Sequence, residues 1–136
     1  MKLSERLQLD IEQAVRGFAR YHKYAIGADL RKQAAEVTRM CHRAWRDRDQ
    51  QPYWVGQLVW AIDELKLSMQ MASQIRAFRS FKQFEALIRL AEEMGRQAGG
   101  WKRQHLKSQN SRPDMAGKRA QILSGPAASA YAGANP

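Results

Sequence analysis

The chain has 136 residues, one cysteine, 44% apolar residues and a formal charge of +10. That length suits a single domain with a real core, and that apolar share excludes wholesale disorder. A lone Cys41 excludes an intramolecular disulfide framework, no stretch is apolar enough for a membrane span, and the start "MKLSERLQLD" lacks a secretory core. A reducing, cytoplasmic setting is expected, with an anionic partner, nucleic acid ahead of membrane.

Four helical segments are read in chain order. The first runs from about Ser4 to Tyr21, with Leu3, Leu7, Ile11, Ala14, Phe18 and Tyr21 recurring every three or four residues. A weak break at "YHKYAIG" leads to the second, about Ala25 to Arg46, which carries Ile26, Leu30, Ala34, Val37, Cys41 and Ala44 on one face. "DRDQQP" ends it, because Pro52 and its polar neighbours oppose continuation. The third, about Tyr53 to Ala77, sets Trp54, Leu58, Ile62, Leu65, Met69 and Ala72 in register. The fourth opens on a capping signal, Ser80 with Gln83 three residues on, and continues through Phe84, Leu87, Ile88, Ala91, Met94, Ala98 and Trp101. No period-2 strand pattern competes. The expected fold is all-α, an antiparallel up-down four-helix bundle over residues 1–107. Residues 108–136, rich in Ser, Gly, Ala and Pro, are expected to be a flexible basic tail.

The faces away from this core carry most of the functional signal. Lys32, Arg39, Arg43 and Arg46 fall on one stripe of the second helix, opposite Leu30 and Val37, with Glu36 among them. From Arg16 to Arg48 there are nine cations and three anions. Such a stripe suits sequence-tolerant, salt-sensitive contact with phosphates; its bland alternative is a solvated helix face. On the fourth helix Lys82, Arg89, Arg96 and Arg103 recur at heptad spacing, with Glu85, Glu92 and Glu93 placed to pair with them. From Arg96 to Arg119, seven cations face Asp114 alone. The nucleic-acid-binding candidates are therefore Lys32, Arg39, Arg43, Arg46, Arg96, Lys102, Arg103 and Lys107.

The third helix is apolar twice. Opposite its core stripe stand Tyr53, Trp60, Leu67, Met71 and Phe78. A corner helix of a lone bundle needs one apolar face, so the second is expected to meet another copy or a partner protein. The competing explanation is that the bundle itself buries a wide arc of this helix.

Gly95, Gly99 and Gly100 interrupt the fourth helix in "EEMGRQAGGWKRQ". Each glycine costs roughly 1 kcal/mol against alanine. They let another backbone approach, or, as Gly99-Gly100, end the helix and fold Trp101 back on the core, or do both. Periodicity alone does not decide.

The stretch "GRQAGGW" resembles the Gly-Arg-x-x-Gly-x-Trp signature near the end of the last helix in Avd proteins, the accessory variability determinants of diversity-generating retroelements. The matching positions are Gly95, Arg96, Gly99 and Trp101. "YHKYAIGADLRKQ", with its Ile26-Gly27 pair, is similar to the start of that family's second helix, and the likeness spans roughly residues 5–104. It implies a four-helix bundle that assembles as a homo-oligomer, a pentamer in the family. It also implies association with the element's reverse transcriptase and with RNA or DNA during mutagenic reverse transcription. The sister group, encoded in ribosomal-RNA intervening sequences, implies an adaptor acting by protein contact or general nucleic-acid binding.

No catalytic constellation stands out. His22, His42 and His105 are scattered without Cys or carboxylate at ligand spacing, Cys41 falls on an apolar helix face, and adjacent Asp63 and Glu64 point apart. No phosphate-cradling Gly-rich loop is present. No cofactor, metal, membrane or small-molecule substrate is expected.

Overall fold

In the computed structural model, residues 2–110 are described. Its elements are α1 (Lys2–Arg16), a single turn α2 (Arg20–Lys23), α3 (Ile26–Arg46), α4 (Gln51–Gln74) and α5 (Phe81–Asn110). The protein is all-α, a bundle of four long helices, with no strand among the described residues. The chain divides into a unit over Met1–Lys102 and a second beginning at Arg103. In that second unit the described backbone is helical and the Arg103 and Lys107 side chains are exposed. The tail expected at 108–136 lies outside the described side chains.

The helices form where the apolar spacing places them, and consecutive long helices run antiparallel. The Arg31 guanidinium donates to Glu12 at 2.8 Å, while the Thr38 hydroxyl reaches the Ser4 carbonyl, so α3 descends beside α1. Leu7, Ile11, Leu30, Val37, Leu58, Ile62, Leu65, Met69, Leu87, Ala91 and Ala98 fill one continuous core. Cys41 is buried in it, as its face required.

The first helix stops at Arg16, short of the expected Tyr21. Gly17 and Phe18 close it with tight turns onto the Ala14 and Val15 carbonyls. Phe18 then swings into the core, edge-on to Phe78 at 5.3 Å, and Tyr21 is left exposed.

The α3–α4 turn is organised by Asp47. One carboxylate oxygen accepts from the Gln50 amide and the other from the Trp54 indole N–H at 3.1 Å. Pro52 falls in the first turn of α4, where its missing N–H costs nothing. At the other end α4 closes with a Schellman motif. The Ala77 amide returns to the Ala72 carbonyl and the Arg76 amide to Ser73. Arg76 takes the left-handed position of that motif at φ 60°.

That turn moves Phe78. Expected on the outer face of the third helix, it lies past the end of α4 and is buried among Phe18 and Phe84. It is therefore a core residue, and the second apolar face of α4 loses it. The Ser80–Gln83 cap forms as read: the Gln83 amide donates to the Ser80 hydroxyl, and the Gln83 side chain accepts from the Arg79 amide.

The glycines of α5 do not end the helix, which continues through Gly99 and Gly100 to Asn110. Nor does Gly95 relieve a tight contact among the described residues. A Cβ there would meet Ile62 Cγ2 at 3.9 Å and Lys66 Nζ at 4.0 Å, which is ordinary packing.

Candidate nucleic-acid and assembly surfaces

Two surfaces stand apart from the core. The first is the outer face of α3. Core residues Leu30, Val37 and Ala44 fix the rotation of this helix, and Lys32, Arg39, Arg43 and Arg46 all emerge exposed. The structure separates their circumstances. Arg39 is held by Glu36 one turn back, through both Nε and Nη2. The Arg43 guanidinium lies over the Trp54 ring, 5.1 Å from its centroid, a cation–π contact that leaves its charge intact. Lys32 and Arg46 make no ion pair among the described residues. The stripe spans 14 residues, about 21 Å of helix.

On α5, Arg96 pairs with Glu93 and Arg89 with Glu85, so much of the heptad stripe is internally neutralised. The Arg96 hydrogen bond, reinforced by Gln97, holds the Glu93 carboxyl below the usual glutamate range. Lys102 is exposed at the end of the first unit. Arg103 and Lys107 belong to the second unit and are exposed there.

The second surface is the outward face of α4. Trp60 is 64% exposed and Leu67 66%, with Tyr53 and Met71 more than half exposed on the same side. Together they line about 27 Å of helix, 18 residues at 1.5 Å each. Gly56 sits between Tyr53 and Trp60, and a Cβ placed on it would touch nothing within 4 Å. No contact among the described residues explains a glycine there, where alanine would stabilise the helix by about 1 kcal/mol. Ile75 extends the apolar row and is 42% exposed. Asp63 and Glu64, also exposed, are its acidic neighbours.

The sequence pattern overlooked a third feature. Trp45, on the last turn of α3, is 54% exposed and pairs with Trp101 at 5.6 Å between centroids, their planes inclined by 51°. Trp45 stands one position from Ala44 of the core stripe, so periodicity classed it with neither face. Its bulk and its mostly cationic neighbours Arg43, Arg46 and Arg48, with Asp47 and Asp49 among them, were the available signal.

Among the described residues no cluster of three or more His, Cys, Asp or Glu side chains could hold a metal ion, and no helix is long and apolar enough to cross a membrane. No protein-family model matches the chain, and no curated protein matches its sequence.

Proposed function

We propose that this protein is a self-associating, nucleic-acid-binding accessory bundle with no chemistry of its own. The observation that carries the proposal is the coexistence of two surfaces a lone bundle does not need. One is the exposed aromatic and aliphatic row of α4 around Gly56, and the other is the exposed cationic row of α3. Apolar rows of this extent mark protein contacts, and single-sign rows raise the local concentration of polyanions. The resemblance of "GRQAGGW" to the Avd signature makes the partner a reverse transcriptase of a diversity-generating retroelement and its template RNA or cDNA. On that reading the α4 face joins copies of the chain, as a homopentamer in that family, in a cytoplasmic complex.

A second reading has its own support. Arg39, Arg89 and Arg96 are each tied to a glutamate of their own helix, which reduces the field available to phosphates. This favours an adaptor of the ribosomal-RNA intervening-sequence type, whose partner is protein.

Salt titration separates the two. On the first reading, affinity for RNA or DNA falls steeply with salt, each phosphate neutralised adding about 0.7–0.9 to the logarithmic slope. Replacing Lys32, Arg39, Arg43 and Arg46 together by Glu abolishes binding. Unchanged low-salt affinity in that variant refutes the α3 face as the contact surface.

A further inference from the structure

We infer that Trp45, backed by Trp101, is a stacking platform for an unpaired base, so that the protein distinguishes single-stranded nucleic acid from duplex. This rests on the nucleic-acid-binding reading and adds to it the state of the strand recognised.

Three observations converge on one end of the first unit. The Trp45 ring is 54% exposed, although α3 buries every core residue around it. It is not loose, because Trp101, half-buried against the core, holds it at 5.6 Å in a tilted aromatic pair. A ring already fixed by a neighbour loses little freedom when a third ring stacks on it. The end of α3 is rich in exposed cations: Arg43, Arg46 and Arg48 lie within three residues of Trp45 in sequence and Lys102 follows Trp101, against one exposed carboxylate, Asp49. The nearby carboxylate of Asp47 is engaged internally by Gln50 and Trp54.

A held aromatic face at a helix end rich in exposed cations matches the chemistry of single strands, whose phosphates follow positive charge while bases stack on aromatic rings. A duplex keeps its base faces inside the stack, whereas loops, ends and single strands expose them. An apolar protein partner has no use for the surrounding positive charge. The base ring is common to RNA and DNA, and separate arms of the test tell the two sources apart.

The test uses the full chain and fluorescence anisotropy at low salt. Its probes are a labelled oligouridylate, an oligothymidylate, an abasic strand with the same number of phosphates, and a duplex of matched charge. The native protein is expected to favour the base-bearing strands over the abasic one by roughly ten-fold, the scale of one stacked base. The tighter of the two base-bearing strands names the source. Trp45→Ala is expected to erase that preference and leave abasic binding unchanged, and Trp45→Phe to restore most of it. Far-ultraviolet circular dichroism checks that the helices persist.

Equal affinity of the native protein for base-bearing and abasic strands overturns the platform while leaving phosphate binding in place. So does an equal loss on both strands in Trp45→Ala, or a change of oligomeric state with no change in affinity. Failure of the native protein to bind any of the four probes overturns the nucleic-acid reading itself.

Discussion

Arg76 holds a backbone conformation that L side chains seldom adopt, at φ 60° in the closing turn of α4. Glycine is the usual occupant of that Schellman position because it has no Cβ to crowd the preceding carbonyl. Arg76→Gly is therefore expected to stabilise the fold by about 1 kcal/mol. Two glycines complete a denaturation series. Gly95→Ala is expected to add up to about 1 kcal/mol, since its methyl meets only ordinary contacts and helix propensity improves. Gly27 is the opposite case: a Cβ there would lie 2.8 Å from Val15 Cγ1 and 3.1 Å from the His22 carbonyl oxygen. Gly27→Ala is expected to destabilise by about 1–3 kcal/mol, because backbone as well as side chain must move. Urea midpoints of the three variants check the ordering. A stabilised Gly95→Ala chain that no longer assembles would assign that glycine to contact between copies.

At the scale of elements, the α1–α3 pair carries a polar strut beside its apolar seam. Partial burial pushes the Glu12 carboxyl up, but hydrogen bonds from Arg31 and Arg16 outweigh it and hold the group below the usual glutamate value. A depressed folded-state pKa means stability that is present above the unfolded value and lost as pH falls through the folded one. Acidification from pH 6 to about pH 3 is thus expected to weaken the native chain more than Glu12→Gln, which has no such proton to take up. Because the pair is partly exposed, the difference is expected to stay under about 1 kcal/mol. Parallel curves for the two proteins would show that the strut contributes nothing. Helix rows were legible in the sequence because their period of 3.6 leaves a direct trace, and the Ser80–Gln83 cap was legible because its residue types are specific. Tyr21 and Phe78 were not: the first helix stops before Tyr21, which is left exposed, and the left-handed turn that redirects Phe78 into the core is formed by an arginine, which marks no turn by its identity.

At the scale of the whole molecule, the face α4 shows to solvent decides, on the proposed function, how copies of the chain meet. Trp60→Glu or Leu67→Glu is expected to shift light scattering from oligomer toward monomer, with helical circular dichroism preserved because both side chains already face water. An unshifted oligomer would place the contact elsewhere. The charged and apolar faces could be anticipated by counting positions opposite the core. Trp45 could not, since its meaning comes from a meeting with Trp101 that lies 56 residues away in the chain. The row on α4 also bears on how sturdy the protein is. If copies cover that row, association selects the native form, and dilution works as a denaturant would. Melting temperature should then climb with protein concentration, and thin solutions should be the first to aggregate, with bare Trp60 and Leu67 as the adhesive.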